Sequence, residues 1–253
     1  MVGKRILRRI THVTSSGRER ISMSKNYQHF LQRFHEYRIS QNMTQEELSS
    51  KMGIGQSQLC KIENGALNMS YSLLQKLERM SWSVDYLITG EVTENEDKHL
   101  KVFFESLSSE DRESIQQLMT WIFSNKLKDS KNKNLACELA VLKLYFSQEE
   151  KKSPLYYVRE YMGLSQIAMA ERIGVNIKKY GKLERNVTKP DAEILYRIYE
   201  ITGCRPGLFF REQKIGWYIT NHMWNTLGSN ERRDILYFLT MSQKVLQKKT
   251  ELE

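Results

Sequence analysis

The chain has 253 residues, 40% of them hydrophobic and 27% charged, with a formal net charge of +9, which suits one large domain or two small ones with ordinary cores. Three prolines and 13 glycines are too few for the turns of a β-sandwich or barrel, and the abundance of Leu, Glu, Gln, Lys and Met points to an all-α fold. Cys60, Cys137 and Cys204 are scattered, so their spacing reads as neither a disulfide framework nor a metal site and fits a reducing cytoplasm, while no run reaches the apolar length of a signal-peptide core or membrane span.

Residues 1–25 hold seven Lys and Arg against Glu19, a balance of +6 that leaves only +3 for the rest. This stretch has no apolar periodicity and is expected to be a disordered basic tail. A nucleic-acid arm is one reading of it. The favoured reading takes Met23, in "MSKNYQHFLQ", as the natural start and the upstream residues as an over-long gene reading, so net charge identifies no partner. A first domain is expected over 26–90. Phe30, Phe34 and Tyr37 form one helical stripe; Thr44 then caps a second helix with Glu47 in the capping-box position. Gly53 ends that helix in a left-handed turn, a third helix covers Gln56–Asn64, and helices from Ser70 and within "SWSVDYLITG" complete a five-helix unit.

A helical hairpin and linker are expected over 91–133, with Leu100, Phe103, Phe104 and Leu107 on one helix and Ile115, Leu118, Met119 and Ile122 on the other; "KLKDSKNKN" (126–134) reads as solvated chain. A connecting helix is expected over 134–150, and Ser153-Pro154 opens a second, divergent copy over 151–211. A C-terminal hairpin fills 212–253. The duplication is explicit: "MTQEELSSKMGIGQSQLCKIENG" (43–65) and "LSQIAMAERIGVNIKKYGKLERN" (164–186) align without a gap at an offset of 121, and "LSSEDRESI" (107–115) answers "LGSNERRDI" (227–235) at 120.

The spacing around Gly53 sets two short helices at a steep angle, with Leu48, Ser49, Met52, Ile54, Leu59 and Ile62 on their near faces, and Met169, Ala170, Ile173, Val175, Tyr180 and Leu183 in the second copy. Tyr180 is expected to pack with its hydroxyl at the edge of the core. Packing leaves Gln56, Ser57, Gln58 and Lys61 without an apolar task. They crowd the N-terminal part of the third helix, where Gln can pair with adenine and Lys can reach guanine or phosphate in a major groove. The bland reading, a solvated helix face, competes with this.

These residues resemble the Cro/repressor (XRE-type) helix-turn-helix family over 27–90 and, more weakly, 151–211. The resemblance implies two lambda-repressor-like five-helix domains, each followed by a hairpin. It implies that Gln45 and Gln166 touch phosphates, and that Gln56, Ser57, Gln58, Lys61 and Asn64 lie at the DNA, with Cys60 nearby. In the second copy Ile177, Lys178, Lys179 and Lys182 take these places, a phosphate-directed set. It also implies structural ion pairs Arg38–Glu63 and Arg159–Glu184, whose partners recur at the repeat offset; losing one partner of a buried pair costs on the order of 3–5 kcal/mol. Gly55 is a weaker cap than the usual Ser or Thr, and Gly181 inside the second recognition helix costs about 1 kcal/mol against Ala. The expected function is a sequence-specific, repressor-like transcriptional regulator in the cytoplasm, with double-stranded DNA as partner. The alternative is a protein- or peptide-binding regulatory module.

The hairpin aromatics (Phe103, Phe104, Trp121, Phe123, Trp217, Trp224, Phe238) exceed what two short hairpins can hide, which implies a homodimer or an intramolecular pseudo-dimer through them. His12, His29, His35, His99 and His222 are dispersed, with no HExxH, CxxC, phosphate loop or nucleophile elbow, so no enzyme activity, metal or cofactor is expected.

Overall fold

The computed structural model describes residues 25–92, 96–127, 133–210 and 215–250, and no strand occurs among them. Residues 1–24 of the basic tail and residues 128–132 of the expected linker lie outside the described residues. The chain divides into two compact units, Met1–Leu67 and Asn68–Glu253. The segment expected as one five-helix domain thus gives three helices to the first unit and two to the second.

In the first unit, α1 (Lys25–Ser40), α2 (Gln45–Met52) and α3 (Gln56–Glu63) follow one another. Thr44 Oγ1 accepts from Glu47 N at 3.1 Å and Thr44 N donates to Glu47 Oε2 at 2.7 Å, so both halves of the capping box are made. Gly53, at φ 60° and ψ 43°, ends α2 in the left-handed conformation that suits a residue without a Cβ. The core holds Tyr27, Phe30 and Phe34 of α1, Leu48 and Met52 of α2, and Leu59 and Ile62 of α3, all fully buried.

The second unit starts with α4 (Tyr71–Arg79) and α5 (Val84–Thr89), then α6 (Lys98–Glu105) and α7 (Ser109–Lys126), and the connecting α8 (Lys133–Ser147). The second copy is α9 (Pro154–Tyr161), α10 (Gln166–Ile173), α11 (Ile177–Glu184) and α12 (Ala192–Thr202). Its fifth element is a 3₁₀ turn over Pro206–Phe210 where the first copy has the α-helix α5. The closing hairpin is α13 (Ile215–Asn225) and α14 (Ser229–Thr250).

α5 packs against α12 and the 3₁₀ turn. Gly207 N donates to buried Asp85 Oδ1 at 2.6 Å, Tyr218 Oη donates to Asp85 Oδ2 at 2.7 Å, and a Cβ on Gly207 would stand only 2.6 Å from that carboxylate. The two hairpins meet as α7 packs on α13 and α14. Each hairpin is closed by an arginine in the same register: Arg112 donates to the carbonyls of Phe104 and Leu107, and Arg232 to those of Asn225 and Leu227.

The cysteines correct the sequence reading. Cys137 on α8 and Cys204 after α12 form a disulfide, both fully buried, with Cα atoms 5.9 Å apart; only Cys60 is free. The next residues tie the same corner a second time: Arg205 Nε donates to Glu138 Oε1 at 2.8 Å, and His222 Nδ1 lies 2.5 Å from Glu138 Oε2. Burial raises the Glu138 carboxyl, but the Arg205 charge and the hydrogen bonds from Arg205 and the His222 ring outweigh it and hold the group below the ordinary carboxylate range.

Candidate nucleic-acid interface

Glu63, at the end of α3, ties the three helices of the first unit together. Arg38 of α1 donates to it through Nε (2.6 Å to Oε1) and Nη2 (3.2 Å to Oε2), and its Nη1 donates to the Met43 carbonyl at 2.7 Å. Gln45 Nε2, at the start of α2, donates to Glu63 Oε2 at 2.7 Å, and His35 Nδ1 lies 3.2 Å from the same oxygen. The Arg38 and Glu63 side chains are 5% and 4% exposed. Burial pushes the Glu63 carboxyl up, but the hydrogen bonds from Arg38, Gln45 and His35 prevail and its pKa falls.

The second copy repeats the frame with fewer bonds. Arg159 Nε and Nη2 donate to Glu184 Oε1 at 2.9 and 2.8 Å, and Nη1 donates to the Leu164 carbonyl at 2.9 Å, the register of Met43. Glu184 Oε2 and the Tyr180 hydroxyl are buried without a hydrogen-bond partner. Tyr180 is therefore wholly inside the core and not at its edge, and burial, with Glu184 nearby, raises its pKa. Tyr156 replaces His35 in this register, with the Arg159 guanidinium 5.3 Å from its ring centroid.

This clamp holds α2 and α3 at the Gly53 corner and leaves one face of α3 outward. Gln56, Ser57, Gln58, Lys61 and Asn64 are exposed; Asn64 Nδ2 donates to Cys60 Sγ at 3.3 Å, and the other four make no side-chain hydrogen bond within the described chain. Gly55 gives α3 no side-chain cap; Gln58 N donates to the Gly55 carbonyl at 2.9 Å, which leaves the N–H groups of Gln56 and Ser57 at the positive end of the helix dipole. In α11, Asn176 Oδ1 accepts from Lys179 N at 2.8 Å. Ile177, Lys178, Lys179 and Lys182 are exposed, as is Gln166. The two copies thus present unlike faces: amides, a hydroxyl and Lys61 on α3, three lysines and an isoleucine on α11.

Two copies of a short helix, turned at a left-handed glycine and locked to the first helix by an Arg–Glu pair, make one scaffold written twice. The helix-turn-helix family matches the chain at both places, over residues 34–80 and 155–209. Two tandem segments of the chain thus match the Cro/C1-type helix-turn-helix. That family is one of DNA-binding regulators. No curated protein and no solved structure matches the chain.

In the first of these two segments, sequence reasoning missed His35, whose ring joins the Glu63 clamp. Its place one turn before Arg38 on α1 was the available signal, but Tyr156 at the repeat position hid it. Gln45 also has a second occupation: its amide nitrogen donates to Glu63 Oε2. Among the described residues no helix is long and apolar enough to cross a membrane, and no cluster of His, Cys, Asp or Glu could hold a metal ion.

Proposed function

We propose that the protein is a sequence-specific, repressor-type transcriptional regulator in which α3 of the first copy reads bases in the major groove and α11 of the second adds phosphate contacts. The observation that carries this reading is the exposed row Gln56, Ser57, Gln58 and Lys61, free of internal partners and held rigidly from behind by Glu63. Gln presents a donor and an acceptor that match adenine's major-groove edge, and the open N-terminus of α3 favours a phosphate. Lys178, Lys179 and Lys182 supply charge without base discrimination. Repression by steric occupation of DNA is the simplest mechanism for such a reader.

A cytoplasmic location follows from DNA reading, and the Cys137–Cys204 bond is compatible with it because both sulfurs are buried away from reductants, which must reach a sulfur to exchange. The contacts of α7 with α13 and α14 support a pseudo-dimeric pairing of the hairpins inside the chain. Trp121, Tyr237, Phe238, Met241 and Val245 remain 40–70% exposed, an apolar face that favours a second chain as well.

Selection of DNA from a random library by the full chain tests the function. The wild type should enrich one defined site, Gln56→Ala should relax it, and Lys178→Ala/Lys179→Ala should weaken all sites alike while lowering the salt slope by about two. Enrichment of nothing, with weak binding at physiological salt, would sink the DNA reading. One observation favours a protein partner for the second copy: Ile167, Ile177 and Val187, at the starts of α10 and α11 and just after α11, are 43–67% exposed. Retention of full DNA affinity by the double lysine variant would favour that second reading.

A further inference from the structure

We infer that the second unit carries a small-molecule site: a cavity between α6, α7, α8 and α13 that takes a planar ring with a lactam edge. The cavity measures about 420 Å³, within the usual range of small-ligand pockets. Its walls are aromatic, from Phe104, Trp217 and Tyr145, and its floor is Gln116 against Gly216.

Gln116 lies in the middle of α7 and is 8% exposed, yet its side-chain amide makes no hydrogen bond within the described chain. Its amide atoms are not among the fully buried polar atoms that lack a partner; they open into the cavity, where a ligand can reach them. Gly216 makes the room. A Cβ there would stand 3.0 Å from Gln116 Oε1 and 3.3 Å from the Phe146 ring. Tyr145 lines the same space, and its hydroxyl makes no hydrogen bond within the described chain.

The chemistry of the lining selects the ligand. The amide offers one donor and one acceptor side by side, and the complementary edge is the N–H and C=O of a cyclic amide. Three aromatic side chains around that edge suit a flat ring. The charged residues at the opening balance, Lys101 and Arg112 against Glu96 and Glu105, and Lys101 Nζ is already 2.9 Å from Glu96 Oε2. A neutral ligand therefore fits better than an ion. The Trp217 wall is itself fixed, since its Nε1 donates to Glu96 Oε1 at 3.0 Å and its ring meets Phe104 edge-on at 5.1 Å.

The site touches both hairpins and the connecting helix. Tyr145 sits on α8, which packs on α9 of the second copy, and its ring meets Tyr157 at 6.0 Å. The inference stands whether or not the protein reads DNA, because its test measures binding alone.

Calorimetry on the full chain would use uracil, thymine and hypoxanthine as lactam-edged probes and toluene as an apolar control. The expected result is saturable binding of at least one lactam. Gln116→Met, equal in size but without the amide, should weaken it about tenfold, and Gly216→Ala should weaken it by crowding the floor. Melting curves of the free variants establish that they fold; if Gln116→Met does not, the wild-type panel and Gly216→Ala decide. No lactam binding in the millimolar range, equal affinity for toluene, or an unchanged affinity in Gln116→Met or Gly216→Ala would each overturn the inference.

Discussion

Removing the clamp arginine should hurt the second copy more than the first, although both copies have the same Arg–Glu pair. In Arg159→Met the Glu184 carboxylate loses both of its donors to Oε1, and Oε2 has none to begin with. That leaves a buried, wholly unpaired charge, with an expected loss of about 3–5 kcal/mol. In Arg38→Met, Glu63 keeps Gln45 at 2.7 Å and His35 at 3.2 Å. Hydrogen bonds to a charged group contribute about 1.5–3 kcal/mol each, so the surviving pair should offset most of that cost and limit the loss to about 2 kcal/mol or less. The carbonyl partners Met43 and Leu164 are lost equally and cancel. Native-state hydrogen exchange of α3 and α11 amides is the suitable assay, because a chain of two units need not unfold in one step. The double variant Arg159→Met/Glu184→Leu should recover most of the loss. Equal losses in the two copies, or no recovery in the double variant, would refute this account of the clamp.

Three further expectations concern stability, and one concerns assembly. Glu63, Asp97 and Glu138 all titrate below the ordinary carboxylate range, for Asp97 because backbone N–H groups of Leu100 and His99 and neighbouring side chains outweigh burial. A depressed folded pKa gives stability that is complete above the unfolded value, about 4, and lost as pH falls through the folded one; urea midpoints should be flat from pH 8 to 5 and drop below about 4, and a decline already at pH 6 would contradict this. Gly181→Ala should stabilise α11 by about 0.5–1 kcal/mol in thermal melts, since the new Cβ meets only the Arg185 guanidinium at 3.5 Å; a loss would show that position 181 needs glycine. Cys137→Ala/Cys204→Ala should be less stable than the oxidised protein by up to about 4 kcal/mol, the chain-entropy value for a bridge spanning 67 residues, with the reduced wild type close to the variant; equal stability of the variant and the oxidised form would argue against the bond. Sedimentation should show a dimer of the 29.9 kDa chain, and Tyr237→Glu/Met241→Lys should give monomer; a monomeric wild type would remove the second-chain reading of α14.

What was legible in the sequence is what the chain settles locally or states twice. The Thr44 cap, the Gly53 turn and the buried stripe of α1 follow from neighbours a few residues apart. The Arg38–Glu63 pair crosses 25 residues, and its recurrence at Arg159 and Glu184 made it visible. Contacts formed once across long separations left no trace: Cys137 with Cys204, Glu138 with Arg205 and His222, Asp85 with Gly207 and Tyr218. Each joins residues of different repeats or connectors, so neither spacing nor periodicity points to it. On the interface, composition identified the outward residues of α3. It could not show that Gln45 faces Glu63, because an amide at a helix start serves a phosphate and a carboxylate equally well.

The engagement of α5 with α12 and the 3₁₀ turn bears on where this chain can be cut. Asp85 belongs to the first repeat and its hydrogen-bond partners to the second, Tyr71 donates from α4 to the Phe209 carbonyl, and the Tyr71 ring stacks on Phe210 at 4.6 Å. A fragment ending near residue 90 would carry α5 without its partners and bare Val84, Leu87 and Ile88.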